Sequence, residues 1–186
     1  LRLVGSEMCI RDRSLIKQGK IAAVMDFSLV EISNFYFGSE VNSGELRLEV
    51  AGKYKIPQIV APGGLTVVDA KTWSNPPKNF EGRDFRPHNR LITCAALTPS
   101  ERKEAATIIG NKLIKSQGPT AFVMPHGGFD DWDREGEWAF DREAINSFYN
   151  EIKSILKDPI KFYEIKQNIN DPEFTDIVLS IFDEWV

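Results

Sequence analysis

Three short segments carry the residue types from which a ligand site could be assembled: Asp26 to Ser28, Pro62 to Leu65, and Pro125 to Gly128. Each directly follows an apolar run, and two of them hold a glycine pair. Lacking a Cβ, glycine lets backbone N–H groups come close to a phosphate or carboxylate; the same pair also serves as a tight turn that binds nothing. Asn42-Ser43-Gly44-Glu45 adds a fourth candidate, a helix start whose free amides and dipole favour an anion. His88 and His126 are the side chains that titrate nearest neutrality. No partner carboxylate is identifiable for either from the sequence, and an orienting hydrogen bond is the simpler role. Cys94 lies in the apolar stretch Leu91 to Leu97, as expected of a buried, inert thiol.

Several sharper chemistries fail on spacing. No glycine-rich run is followed by Gly-Lys-Ser/Thr, so there is no Walker loop. His126-Gly127-Gly128 imitates the oxyanion loop of lipases, but the chain has no G-x-S-x-G nucleophile elbow. Asp131, Asp133, Glu135 and Gly136 imitate the start of a calcium loop whose twelfth position would be Arg142, not glutamate. The acidic stretch Asp130 to Glu137 therefore reads first as a solvated loop, with a magnesium–phosphate contact as the lesser reading.

The elements that must position these residues alternate. Lys20 to Met25, Ile56 to Ala61, Thr120 to Met124 and Lys161 to Lys166 read as strands, three of them apolar enough to be buried on both faces. Between them, Leu29 to Phe37 reads as a helix stopped by Gly38, and Glu45 to Tyr54 as a second, with Leu46, Leu48 and Val50 inward. Thr98-Pro99-Ser100-Glu101 is a capping box with proline at the first helical position, opening a helix expected to end at a Gly118 cap before Pro119. Asp141 and Asp171-Pro172 open two more helices with clear apolar faces. Residues 71–90, rich in Pro, Asn, Gly and charge, read as a long surface excursion of a length that invites function. Strand–helix alternation predicts an α/β fold, a Rossmann-like three-layer sandwich with a mostly parallel sheet. In such sheets ligands bind at the carboxyl ends of strands, where the candidate segments lie.

At 186 residues the chain suits one domain. A net charge of −4 and the absence of a Lys/Arg run argue against nucleic acid as a partner. No apolar stretch reaches the length of a membrane helix, so no membrane partner is expected. With only Cys9 and Cys94 there is no disulfide framework, and the expected location is cytoplasmic. The first 13 residues, LRLVGSEMCIRDR, lack any amphipathic period and any signal-peptide apolar core. They are read as a non-native, adapter-like leader, which leaves 14–186 as a single α/β domain.

Gly38 to Leu48 (GSEVNSGELRL), Ile56 to Val60 with Pro62-Gly63, His88-Asn89, Gly118-Pro119, Pro125 with Gly128, and Trp138 to Asp141 occur in that order. Taken together, the set resembles the C-terminal domain of the family of ATP-binding proteins that includes the tomato mosaic virus resistance protein. The resemblance covers roughly residues 19–157. It implies two Rossmann-like halves, of which this is the second, with ATP and Mg2+ as the expected cofactor. The missing N-terminal half is the expected partner, with a small-molecule ligand and a second copy of the chain as others. Joined to the strand-end reading, it favours a ligand site made of Asp26, Ser43, Gly44, Arg47, Pro62, Gly63, His88, Asn89 and Gly128. The glycine-turn amides and Arg47 would hold the anion of a phosphorylated or carboxylated metabolite, and Asp26 would face Mg2+ or a ribose. The competing reading is a non-catalytic domain whose strand-end residues dock the missing half or a second subunit.

Overall fold

A computed structural model describes residues 2–4 and 10–185, with side chains from Arg13 onward. Its principal sheet is parallel throughout, in the order β1 (Arg2–Val4), β2 (Ile21–Asp26), β3 (Gln58–Val60), β7 (Thr120–Pro125), β8 (Lys161–Ile165). The central strands are buried along both faces, because alternate residues enter opposite cores. Val60, Phe122 and Met124 point to one side, where Ala105, Ile109, Phe148 and Ile152 meet them from α4 (Pro99–Leu113) and α5 (Arg142–Ile155). Ile59, Ala121 and Val123 point to the other, where α6 (Pro172–Asp183) brings Phe174, Val178 and Ile181. Helices on both faces of a parallel sheet make the expected Rossmann-like sandwich.

The expected starts of the later helices hold. Thr98 accepts from the Glu101 amide while Glu101 reaches back to the Thr98 amide, and Asp141 accepts from the Ala144 amide at 3.0 Å. The remaining helices are α1 (Ile10–Lys17), α2 (Val30–Tyr36) and the short α3 (Glu49–Lys53). α1 runs across the residue 13/14 boundary set for the leader, and Arg13 is buried, donating to the Ser43 carbonyl. Cys9 lies outside the described residues.

Three expectations are corrected. The helix foreseen over 45–54 begins only at Glu49, because Leu48 takes a left-handed φ of 70° as the chain turns Arg47 inward. Leu46 is consequently exposed instead of inward. Gly118 is not the helix cap, which is Ile114; its place is fixed by the Lys55 backbone, which lies 2.6 Å from where a Cβ would stand. The 71–90 excursion is part of a second sheet, antiparallel, in the order β4 (Val67–Lys71), β6 (Ile92–Ala96), β5 (Arg86–Pro87). Its own small core joins Val68, Ala95 and Leu97 to Phe37 and to Phe80, which comes from the middle of the excursion and is wholly buried.

Candidate functional site

Where β2, β3 and β7 end, the small sheet leans over the large one and leaves a cleft of about 630 Å3. Ser28 follows β2, Gly64 follows β3, and Asp130 to Trp132 follow β7. The small sheet supplies Asp69, Ile92 and Cys94, with His88 from the turn between β5 and β6; α2 supplies Glu31 and Asn34. The strand-end rule therefore locates the cleft, with a wall that it did not foresee.

The polar groups of this cleft are held in place from behind. Asn34, fully buried, donates to Asp69 Oδ2 at 3.0 Å and accepts from the Asp69 amide at 2.8 Å. The Cys94 thiol donates to Asp69 Oδ1 at 3.0 Å. Burial, and then the Asp69 carboxylate, push that thiol far above its ordinary pKa, so it stays protonated and inert, as expected. Asp130 caps the Asp131–Asp133 turn through the Asp133 amide, and Asn168 clamps its carbonyl at 2.8 Å. Burial raises the Asp130 carboxyl above the usual carboxylate range. Of the cleft's four carboxylates, Glu31 is paired with Arg47 and Asp131 with Arg134. Asp69 and Asp130 make no salt bridge among the described residues, and no Lys or Arg lines the cleft.

On the outer wall His88 meets the Trp132 ring edge-on at 5.2 Å, Trp132 packs on Trp138, and Arg86 lies over Trp138. Beneath, Arg102 and Asp133 form a wholly buried pair with bonds of 2.9 and 3.0 Å, and Asp133 accepts from the Phe129 amide. The acidic loop is thus not simply solvated: Asp130 faces the cleft and Asp133 anchors the loop that carries it.

A family model described as the C-terminal domain of an uncharacterised protein family, UPF0261, matches residues 13–186. This chain belongs to the UPF0261 family. A UPF0261 protein of Brucella melitensis is 40% identical over 169 residues, covering 91% of this chain and 40% of that protein. One from Clostridium tetani is 35% identical, covering 86% of this chain and 40% of that protein. The ToMV resistance protein Tm-1(GCR237) of Solanum lycopersicum is 25% identical over 90% of this chain and 22% of its own length. The chain spans about 40% of the length of the bacterial relatives it matches first. Among the described residues of this UPF0261 domain, no helix is long and apolar enough to cross a membrane.

The residues singled out in the sequence fall into separate groups in the UPF0261 domain. His88 lines the cleft, and Gly63 lines a smaller hollow beside it. Asp26, Arg47 and Ser43 form one buried cluster directly behind Glu31. Arg47 forks onto both oxygens of Asp26, bonds Glu31 at 3.1 Å and donates to the Ser28 carbonyl, while Ser43 donates to Glu31 at 2.5 Å. Its charge is balanced within the fold, and burial opposed by Asp26 and Glu31 leaves its pKa raised. Gly44 turns at φ 80° in the open, Asn89 uses its side chain to build the turn into β6, and Pro62 is buried. Gly128, at φ 123°, packs on the Asp133 carbonyl. His126 lies outside the cleft, 3.2 Å from Glu164 and edge-on to Tyr149.

Sequence reasoning missed Asn34, Asp69 and Trp132, and it gave Asp130 to a solvated loop. An Asp inside the apolar run from Leu65 to Ala70 was the available signal, since a lone carboxylate in a buried strand needs a reason.

Proposed function

We propose that this domain is the small-molecule-binding half of a larger UPF0261 protein, with the ligand held in the cleft beneath the small sheet. The observation that carries the reading is the pair Asp69 and Asp130, set into one concave site with no salt bridge to either among the described residues and no Lys or Arg in its lining. Half-buried charge left without a partner is unfavourable, and a ligand that brings positive charge relieves it. Mg-ATP, the cofactor that the family resemblance implies, fits on one condition. Phosphate oxygens cannot approach these carboxylates directly, so Mg2+ would have to stand between them. Among the described residues no three His, Cys, Asp or Glu side chains converge to hold a metal ion. Mg2+ commonly takes one or two carboxylates and completes its shell with phosphate and water, so Asp69 and Asp130 suit the role. This makes the cleft a binding site for a ligand that presents positive charge, a magnesium-bound nucleotide being one such ligand; no nucleophile or general base is assigned.

The test is thermal melting with Mg-ATP, with ATP plus a chelator, and with Mg2+ alone. At about a hundred times its dissociation constant, Mg-ATP should add about 2.7 kcal/mol. At this chain length that raises Tm by roughly 5–10 °C. The shift should vanish with chelator and in Asp69→Asn and Asp130→Asn. A shift that survives both substitutions would place the site elsewhere.

One observation favours the interaction-domain reading as a second role. Trp73 and Leu91 lie at the tip of the small sheet, 65% and 59% exposed, where Thr72 donates to the Leu91 carbonyl. Two large apolar side chains exposed at one tip suit contact with the N-terminal portion of the protein.

A further inference from the structure

Beside the polar cleft lies a second hollow of about 480 Å3 between the strand ends and α6. The two share Ser28, Gly64, Asp130 and Asn170, so they are halves of one trough rather than separate sites. Their chemistry differs. The second half is walled by Phe27, Phe129, Ile169, Phe174, Val178 and Leu179. Phe174 holds Phe27 edge-on at 5.2 Å, which fixes the ring that forms one side. Leu179 is 47% exposed, so this apolar surface is open to whatever enters.

We infer that the trough takes a single organic cation: an ammonium head against Asp69 and Asp130, and an aryl or short alkyl tail along α6. The inference rests on the reading of the polar cleft as the ligand pocket and names the class of molecule that fills it. Three features of the trough select this class. No Lys or Arg lines either half, so an anionic head finds no partner and meets two carboxylates that have no salt bridge among the described residues. Trp132 borders the polar half, and an indole face attracts an ammonium group. Asp130 stands at the junction of the halves, so a head bound there directs the rest of the molecule either to solvent or onto the apolar wall. The wall wins, because each methylene removed from water tightens binding about fourfold.

The experiment is a titration of the full chain followed by 1H–15N NMR, with n-butylamine, 4-phenylbutylamine, 4-phenylbutyrate and Mg-ATP as probes. The expected order is 4-phenylbutylamine on the order of tenfold or more tighter than n-butylamine, with 4-phenylbutyrate failing to bind. Both amines should move the Trp132 indole and Asp130 amide signals. Thr175, exposed on α6 at the edge of the apolar half, permits a filling substitution with little risk to the fold. Thr175→Trp should weaken 4-phenylbutylamine on the order of tenfold, down to the affinity of n-butylamine, and weaken n-butylamine much less; Leu179→Glu should do the same. Asp130→Asn should weaken both amines. Equal binding of the two amines, binding of 4-phenylbutyrate as tight as that of its amine, or indifference to Thr175→Trp would each overturn the inference. Mg-ATP binding in the polar cleft with no amine bound would overturn it while leaving the proposed function standing. Silence from all four probes would remove both.

Discussion

At Asp130, burial pushes the carboxyl above its ordinary range, with Thr66 and Arg102 pulling the other way and Asp133 adding to the rise. A carboxyl whose folded pKa exceeds its unfolded value binds more protons in the folded state between the two values. The contribution of Asp130 to stability is therefore greatest below the unfolded pKa, near 3.9, and is lost as pH rises through the folded one. At neutral pH the free domain carries the full cost of the charge. Asn keeps the oxygen that caps the Asp133 amide and removes the charge. Asp130→Asn should thus raise the neutral-pH Tm of the ligand-free chain by about 2–4 °C, the equivalent of about 1 kcal/mol at this length. It should also remove the part of the decline with rising pH that Asp130 contributes. A lower Tm, or an unchanged pH profile, would show that the Asp130 charge is already balanced. The residue proposed to bind is then one that weakens the empty protein, a trade common at functional sites.

At the scale of elements, the trough depends on backbone that passes very close to backbone. A Cβ on Gly63 would lie 1.9 Å from the Phe27 carbonyl oxygen, so the turns after β2 and β3 fit together only with glycine there. Gly63→Ala should cost about 2–4 kcal/mol in denaturant melts and weaken ligand binding as well, because Phe27 and Ser28 must move. A near-neutral effect would mean that these turns are looser than they stand. The four inner and later strands of the large sheet, the starts of its later helices and this turn were legible in the sequence, since capping residues, apolar runs and glycine pairs act locally. The small sheet was not. Its strands are short, β5 holds only Arg86 and Pro87, and the excursion between them has the composition of a loop. What makes it a sheet is pairing of Val67 with Ala96 and Arg86 with Cys94, which no local pattern announces. For the same reason Asp69 was missed while Gly63 was found. Arg47 illustrates the converse: its type suits an anion, yet Asp26 and Glu31, which hold it, lie 21 and 16 positions away.

At the scale of the molecule, the chain spans about 40% of its bacterial relatives, and the tip of the small sheet carries the apolar pair Trp73 and Leu91. If that tip meets the preceding portion of the protein, Trp73→Ser with Leu91→Ser should leave the melting of this chain unchanged. In the full-length protein the same pair of substitutions should split one cooperative transition into two, read by calorimetry. An unsplit transition would assign the two side chains no docking role. His88, which lines the cleft, lies three residues before Leu91 in the turn that leads into β6, so contact at the tip would bear on the cleft wall.

The pairing of β3 with β7 sets the tempo of assembly. Gln58 and Thr120, partners at the centre of the large sheet, are 62 positions apart, and the whole small sheet and α4 are strung between them. Closing so long a segment carries an entropic penalty before any central hydrogen bond forms. The small sheet, whose β4 and β6 are separated by 20 residues, has the shorter path. During synthesis β3 must wait, with its outer edge unpaired, until β7 has left the ribosome. The wall of the trough is thus made early and its floor late, so the ligand's place comes into being only as folding ends.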